Sequence, residues 1–174
     1  MKKDGRGLQI LCPQRMERSV TQVTVEQLQK IGVEAVLLDL DNTLVRWQGR
    51  DIPEAIRKWL QELSEAGFKL CLVSNTRFGK RLRVLSTELN IPYVRRAAKP
   101  SRQGFHNALK LLNCPAHKAV MIGDQMFTDV WGGNRSGIYT IMVEPIARRE
   151  FIGTKISRVA ERLLLAWFRR RGDI

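Results

Sequence analysis

The sequence of 174 residues is 44% hydrophobic and 27% charged, a composition typical of a soluble protein that forms one domain. No apolar run approaches the ~20 residues that a membrane-spanning helix needs, so we expect no transmembrane segment. The 30 Lys and Arg residues exceed the 17 Asp and Glu residues and give a formal net charge of +13. Such an excess attracts polyanions. Nucleic acid and anionic lipid surfaces are the two obvious classes, and composition alone does not choose between them.

The first residues predict no secretion signal. Residues 1–7 are charged, but Gln9 and Pro13 interrupt what would be the apolar segment of a signal peptide. The three cysteines are odd in number and lack a metal-binding spacing, so we expect reduced thiols. Together these features predict a cytoplasmic protein.

A short helical lead-in is predicted over about residues 1–33. Thr24 and Gln27 have the spacing of a capping box, and Gly32 suits a helix end. The first strand follows at 35–40, where a nearly continuous apolar run contains Asp39. Such a run is typical of a parallel strand that is buried on both faces, so Asp39 is expected at the crevice beside the strand's carboxyl end.

Helices and strands alternate along the following residues. Helices are predicted over about 53–67, 78–89, 101–112 and 128–134, and strands over 69–73, 93–94, 119–122 and 139–143. This alternation predicts an α/β fold with a doubly wound, mainly parallel sheet that carries helices on both faces. Residues 1–174 are expected to form a single domain.

The last predicted element is a basic amphipathic helix over about 154–171. Apolar residues recur there at intervals of three and four, at Ile156, Val159, Ala160, Leu163, Leu164 and Trp167. Basic residues occupy many of the other positions. The apolar stripe either packs on the domain's own sheet or contacts a membrane, and the pattern leaves both open.

Four polar motifs follow four of the predicted strands. They are Asp39-x-Asp41-x-Thr43, Ser74-Asn75, Lys99-Pro100, and Gly123-Asp124 followed by Asp129. Phosphoryl transfer needs an attacking oxygen, neutralisation of the charge on the phosphate oxygens, and a proton for the leaving oxygen. The four motifs together can meet these needs, and they favour a phosphohydrolase.

The acidic residues indicate a magnesium site and a nucleophile. Asp39 and Asp41 alternate along the strand, so both are predicted to face one pocket. Close carboxylates repel unless a cation lies between them, and Mg²⁺ prefers oxygen ligands. We therefore predict that Asp39, Asp41 and Asp124 bind Mg²⁺. Asp39 would attack phosphorus, and Asp41 would act as the general acid and base.

The remaining motif residues are predicted to support this chemistry. Asp129 would bind a metal-bound water or orient Lys99 from just outside the metal ligands. Ser74 and Asn75 would donate hydrogen bonds to phosphate oxygens, and Lys99 would offset the charge of the nucleophile and of the transferred group. Thr43 either caps a turn or contacts the substrate phosphate, and the sequence favours neither.

The four motifs resemble those of the haloacid dehalogenase superfamily. Within it, residues 39–45 and 123–137 are similar to the YqeG-type group of small phosphatases, and the resemblance extends from about residue 13 to about residue 168. Relatives of this group include phosphatidylglycerophosphate phosphatases. The resemblance thus implies that a phosphorylated lipid is the substrate and that phosphatidylglycerol is the product.

The spacing of the motifs leaves no room for a cap domain. Superfamily members that act on small metabolites usually insert such a domain after the first or second motif. Here the intervals from Asp39 to Ser74 and from Ser74 to Lys99 accommodate only a strand and one or two helices. We expect an open pocket that accepts a phosphate on a large carrier. With the charge of +13, this favours a peripheral enzyme on the inner face of an anionic membrane.

Two other functions fit parts of the pattern. A nucleic-acid end phosphatase, acting on a 3′-phosphate, would also use basic charge and an open site. A scaffold that has lost catalysis and binds a partner is the alternative outside the enzymes, although the intact acidic motifs argue against it. The sequence leaves the oligomeric state open.

Overall fold

The computed structural model describes residues 7–147 and 152–174, and it contains a six-stranded sheet. The strands are β1 (Arg15–Glu17), β2 (Ala35–Leu38), β3 (Lys69–Ser74), β4 (Tyr93–Arg95), β5 (Ala119–Gly123) and β6 (Tyr139–Val143). Their order across the sheet is β1-β6-β5-β2-β3-β4, and all neighbouring strands are parallel. The predicted α/β fold with a parallel, doubly wound sheet is confirmed.

Helices cover both faces of this sheet. They are α1 (Val25–Lys30), α2 (Glu54–Glu65), α3 (Gly79–Leu89), α4 (Arg102–Leu112), α5 (Trp131–Arg135) and α6 (Ile152–Arg171). On one face, Val36 and Leu38 of β2 share a core with α1, α2 and α3, and on the other Ala35 and Leu37 share a core with α4. Because alternate side chains enter two different cores, the strand is apolar at every position.

Short polar signals mark the helix ends. Thr24 and Gln27 form a capping box at the start of α1, as predicted, with each side chain accepting a hydrogen bond from the other residue's backbone N–H. Asn90 and Asn113 end α3 and α4 in the left-handed conformation, with φ of 54° and 46°. Asparagine tolerates this conformation better than most residues, so each helix stops where the next strand must begin.

The direction in which successive strands are added to the sheet changes between β2 and β5, although all the strands are parallel. The chain passes from β2 to β3 and β4 on one side, and then returns to β5 and β6 on the other. In open α/β sheets, ligands bind in the crevice at the carboxyl ends of the strands where such a reversal occurs. The Asp39 backbone N–H donates to the Ile122 carbonyl of β5 at 3.0 Å, which holds the two strand ends together.

The chain between β2 and β4 contains no inserted domain. Residues 35–95 are all described, and α2 and α3 are the only helices that connect these strands there. This confirms the prediction that a cap is absent after the first two motifs. Between β2 and β4, the carboxyl edge of the sheet therefore carries no inserted domain.

The lead-in predicted over residues 1–33 is not helical throughout. Residues 15–17 form β1, which pairs with β6 at the edge of the sheet, so the helical prediction was wrong there. Its three residues are half-buried, and Arg15 pairs with Glu17 at 2.6 Å, so no apolar alternation marks the strand. Residues 1–6 of the predicted lead-in lie outside the described residues.

The helix predicted over 128–134 has two parts. Met126–Val130 is a π-helical turn, and α5 continues directly from it. Such turns often occur at functional sites, because the wider turn redirects a side chain. Here the turn carries Asp129, which lies at the carboxyl edge of the sheet.

The C-terminal helix α6 packs on the domain through part of the predicted stripe, Leu164 and Trp167, and through Phe168. Phe168 is fully buried against Met126, Val130 and Met142, with Leu164, Leu165 and Trp167 packed around this cluster. Val159, Ala160 and Leu163 are exposed, so these residues of the stripe do not pack on the domain, and the side chain of Ile156 lies outside the described residues. No described helix has both the length and the apolar character that crossing a membrane would require.

Replacing Phe168 tests this packing. We expect Phe168→Ala to lower the free energy of unfolding by about 3 to 5 kcal/mol, because it leaves a cavity beside the π-helical turn. Urea denaturation followed by circular dichroism measures the effect. Leu163→Ala is the matched control on the same helix, because Leu163 is 69% exposed. Equal losses in the two variants would contradict the packing of α6.

Candidate active site

The two acidic residues of the first motif lie between the end of β2 and a left-handed turn. β2 ends at Leu38, and Asn42 has a left-handed φ of 64°, with its backbone N–H donating to the Val45 carbonyl at 2.7 Å. The chain therefore turns directly after Asp41. Asp39 remains buried at the strand end, whereas Asp41 lies half-buried in the turn.

Two further acidic side chains lie beside Asp39. Asp124 follows β5 and is fully buried, and its Oδ1 accepts a hydrogen bond from Thr43 Oγ1 at 3.2 Å. Asp129 comes from the π-helical turn, and its Oδ2 accepts the Gln125 backbone N–H at 3.1 Å. A Cβ at Gly123 would lie 2.3 Å from Asp129 Oδ2, so only glycine lets this carboxylate reach the end of β5.

The Lys99 ammonium connects two of these acids. Its Nζ lies 2.6 Å from Asp39 Oδ1 and 2.7 Å from Asp129 Oδ1. Asn75 holds the Lys99 backbone from both sides, because its Oδ1 accepts from Lys99 N at 2.8 Å and its Nδ2 donates to Lys99 O at 3.0 Å. The segment after β4 is thereby fixed to the end of β3.

Buried groups of both charge signs meet in this cluster. Asp39, Asp124 and Asp129 bring three carboxyl groups, and Lys99 brings one ammonium. Burial raises the pKa of Asp39 above its ordinary value, the Lys99 ammonium opposes the rise, and the Asp129 and Asp41 carboxylates add to it. Burial would lower the pKa of Lys99, but the Asp129 and Asp39 carboxylates raise it overall. A further cation beside Asp39 would oppose the rise in its pKa, as Lys99 does.

Three carboxylates are placed to hold such a cation. Oxygen atoms of Asp39, Asp124 and Asp129 lie within 4.8 Å of one another. Hard divalent cations prefer oxygen ligands of this kind. The grouping differs from the predicted set, because it contains Asp129, which we expected outside the ligands, and it does not contain Asp41. The cluster fits a divalent cation.

The sequence did not predict the part played by Arg81. This buried arginine on α3 lies 2.5 Å from Asp41 Oδ2 through Nη2, and its Nη1 donates to the Gly49 carbonyl at 2.9 Å. Asp41 Oδ1 also accepts the Gln48 backbone N–H at 2.9 Å. These contacts fix Asp41 at the cleft. One feature of the sequence could have indicated that Arg81 is buried. Arg81 stands next to Leu82, a core residue on the inward side of the predicted helix.

A cleft of about 530 Å³ opens above the cluster. Most of the predicted site residues line it, namely Asp39, Asp41, Ser74, Asn75 and Lys99. Thr43 and Asp124 lie beneath its surface, where Thr43 contacts Asp124 and lies 3.5 Å from Asp39. Ser74 Oγ accepts the Thr76 backbone N–H at 3.1 Å and can still donate its proton to a ligand.

The sequence matches a known family and known phosphatases. The family model described as "Hydrolase: haloacid dehalogenase-like hydrolase" matches residues 14–137. The chain is 35% identical over 162 residues to "Probable phosphatase YqeG" of Bacillus subtilis (strain 168), covering 93% of this chain and 94% of that protein. It is 26% identical to "Phosphatidylglycerophosphate phosphatase 1, chloroplastic/mitochondrial" of Arabidopsis thaliana, covering 93% of this chain but 49% of the plant protein. This chain thus spans about half the length of the plant protein.

A solved structure shares the fold. A haloacid dehalogenase-superfamily hydrolase from Ehrlichia chaffeensis superposes with a TM-score of 0.55 at 17% sequence identity. The match covers 77% of this chain and 98% of that chain. At this identity the likeness concerns the fold alone.

Removing Lys99 tests the charge balance of the cluster. In metal-free buffer at pH 8, we expect Lys99→Ala to lower the free energy of unfolding by about 3 to 5 kcal/mol, because buried Asp39 and Asp129 lose their cation. Lys99 lowers the pKa of Asp39, so its removal raises that pKa further. When the pH is above this pKa, the folded state must keep Asp39 buried and ionised, which costs free energy. When the pH falls, Asp39 binds a proton and this cost becomes smaller. The loss should therefore be smaller at pH 6 than at pH 8.

Urea denaturation at both pH values measures these differences. Lys118→Ala is the control, because Lys118 pairs with Glu34 in solvent and should contribute little. A Lys99→Ala variant as stable as Lys118→Ala at pH 8 would contradict the buried ion pair.

Proposed function

The chain belongs to the haloacid dehalogenase-like hydrolase family and is a phosphoric monoester hydrolase, and on this premise we propose that it uses Mg²⁺ and forms an aspartyl-phosphate on Asp39. One observation carries the proposal. The Asp39 carboxylate lies at the base of an open cleft, 2.6 Å from the Lys99 ammonium and within the cluster of three carboxylates. The Lys99 ammonium opposes the rise in the Asp39 pKa, and a bound cation would further favour the ionised carboxylate that a nucleophile must be.

The first step would transfer the phosphoryl group to the protein. An Asp39 carboxylate oxygen attacks phosphorus, an O–P bond forms, and the bond from phosphorus to the ester oxygen breaks. Asp41 gives its proton to the leaving alkoxide, which departs as an alcohol. Ser74 and Lys99 line the cleft and would neutralise charge on the phosphate oxygens.

The second step would release phosphate and restore the site. Asp41, now ionised, takes a proton from a water molecule, and the resulting hydroxide attacks phosphorus. The bond from phosphorus to the Asp39 oxygen breaks, so the carboxylate is regenerated and inorganic phosphate leaves. Asp41 is suited to both steps because Arg81 and the Gln48 backbone fix its position at the cleft.

Magnesium would be held by Asp39, Asp124 and Asp129. When bound, it supplies positive charge that allows the anionic nucleophile and the anionic phosphate to approach each other. The residues fit the ion because they present three carboxylate oxygen ligands within 4.8 Å of one another in a buried cluster. Asp41, which we first expected to be a ligand, faces Arg81 in this arrangement and is assigned only the transfer of protons.

The proposed substrate is phosphatidylglycerophosphate at an anionic membrane surface, with phosphatidylglycerol as the product. Three observations support it. The plant protein that matches 93% of this chain is named as a phosphatidylglycerophosphate phosphatase. No domain is inserted between β2 and β4, beside the cleft, and the net charge of the chain is +13. A phosphate on a large lipid aggregate can enter such an open cleft. The enzyme would act as a peripheral protein on the inner face of the membrane.

Substitution of the two acids in the first motif tests the mechanism. With Mg²⁺ and a soluble aryl phosphate, we expect no turnover from Asp39→Asn, because an amide cannot attack phosphorus. Asp41→Asn should reduce kcat by about 10²- to 10⁴-fold, the usual effect of losing a general acid and base. Asp51→Asn, an exposed acid nearby in sequence, should keep normal activity. Near-normal activity in Asp39→Asn would overturn the assignment.

A substrate panel tests the proposed lipid. We expect phosphate release from vesicles that contain phosphatidylglycerophosphate to exceed release from oligonucleotide 3′-phosphates and from sugar phosphates by at least about tenfold in kcat/KM. The Asp39→Asn variant gives the background for each substrate. Faster release from oligonucleotides would favour the nucleic-acid end phosphatase, and no release from any phosphate ester with Mg²⁺ would favour a binding scaffold.

A further inference from the structure

Positive charge is concentrated around the entrance to the cleft. We define the catalytic rim as residues 46–51, 75–80 and 95–98, which lie at the carboxyl ends of β2, β3 and β4. Its exposed charged residues are six basic and one acidic, namely Arg46, Arg50, Arg77, Lys80, Arg95, Arg96 and Asp51. Arg77 also lines the cleft itself. A polyanionic surface would therefore be attracted to the edge of the sheet at which the reaction takes place.

The opposite edge of the sheet has no such excess. The loops at the amino ends of β2, β3 and β5, residues 31–34, 64–69 and 113–118, carry two acidic residues, Glu34 and Glu65, and two Lys residues, Lys69 and Lys118. Glu34 and Lys118 pair with each other at 2.5 Å. Of these two edges, only the catalytic rim therefore carries an excess of positive charge among the residues compared.

An exposed aromatic side chain stands within the basic residues. Phe78 is 65% exposed and lines the cleft beside half-buried Trp47. A Cβ at Gly79 would lie 2.4 Å from Arg95 Nη1, so the Arg95 guanidinium lies against the turn that presents Phe78. Aromatic side chains flanked by basic ones favour the boundary between lipid headgroups and acyl chains, where the ring leaves water and the charges meet phosphates.

The chemistry of a lipid substrate requires this edge to face the bilayer. Withdrawing an acyl chain from a membrane costs about 0.8 kcal/mol per CH₂ group, so a phospholipid reacts while its chains remain in the bilayer. Its phosphate must then reach Asp39 at the base of the cleft. Any membrane contact that supports the reaction therefore includes the mouth of the cleft, which Phe78 and Arg77 line.

Helix α6 offers a competing surface. It presents exposed Leu163 together with Arg169 and Arg170, but its other face packs on the domain through Phe168. Arg171 lies over the Trp167 ring at 4.5 Å, so this aromatic side chain is already engaged within the helix. None of these α6 residues lines the cleft.

We propose that the catalytic rim is the surface with which this protein docks on an anionic lipid bilayer, with Phe78 entering the headgroup region and the rim's basic side chains contacting lipid phosphates. The proposal rests on the proposed function only in taking a lipid as the substrate. It assigns the membrane contact to the rim in place of α6.

Sedimentation with vesicles tests the proposal without any turnover. The full chain is mixed with vesicles of phosphatidylcholine and phosphatidylglycerol that contain no phosphorylated substrate, and the bound fraction gives the partition coefficient. We expect Lys80→Gln/Arg96→Gln to weaken binding about 25-fold, because each basic group near an anionic surface contributes about fivefold, equivalent to about 1 kcal/mol. Phe78→Ser should weaken binding about tenfold through lost apolar contact.

Matched variants on α6 control for net charge and for exposed apolar area. Arg169→Gln/Arg170→Gln removes the same charge, and Leu163→Ser removes a similarly exposed apolar side chain, so both should change binding by less than about threefold. Urea denaturation confirms that each variant folds. Equal losses from the rim and α6 variants would overturn the proposal, as would equal binding of the unmodified chain to vesicles of phosphatidylcholine alone.

Two further results separate this proposal from others. If single-stranded oligonucleotides displace the chain from vesicles and bind it more tightly than the vesicles do, the rim is a nucleic-acid surface and the proposal fails. If the rim variants lose vesicle binding while the unmodified chain releases no phosphate from lipid, the docking surface is supported and the lipid phosphatase activity is contradicted. The two hypotheses thus fail through different measurements.

Discussion

The contact of one buried ammonium with two buried carboxylates is the interaction on which this site depends. Lys99 offsets part of the charge of Asp39 and Asp129, and without it these acids would be costly to bury so close together. Asp39, Lys99 and Asp129 come from different segments of the chain, so the fold must hold these segments next to one another. The parallel pairing of β2 with β5 and the clamp of Asn75 on the Lys99 backbone both do so. The carboxylates of Asp39, Asp124 and Asp129, which lie together there, form a place that fits a cation.

The same topology relates the chemistry to its surroundings. Because every strand runs in one direction, all the carboxyl ends lie at one edge, and the loops there both supply the reactive groups and form the surface around them. No inserted domain lies over this edge between β2 and β4. Among the described residues, those of the catalytic rim surround the entrance to the site. The rim's basic and aromatic side chains are in a position to decide which phosphate carriers approach Asp39.

Much of the fold and part of the site follow from local pattern. Apolar strands and capped helices are recognised within a few residues, and the four motifs follow strand ends, so their convergence could be predicted. The prediction failed where long-range contacts decide. β1 has no apolar signal because its pairing with β6 defines it, and the inward face of α6 depends on the cluster around Met126. Asp39 and Asp41 line one cleft, as their alternation predicted, but the local pattern did not predict that Arg81 of α3 contacts Asp41.

In the proposed site, carboxylates from two neighbouring strand ends hold one divalent cation beside the nucleophile. Crystals of the unmodified chain grown with Mn²⁺ in place of Mg²⁺ test it directly, because anomalous scattering locates the ion without reference to activity. We expect one strong anomalous peak within about 2.0 to 2.3 Å of carboxylate oxygens of both Asp39 and Asp124. A strong Mn²⁺ peak elsewhere, with none between these two side chains, would contradict it.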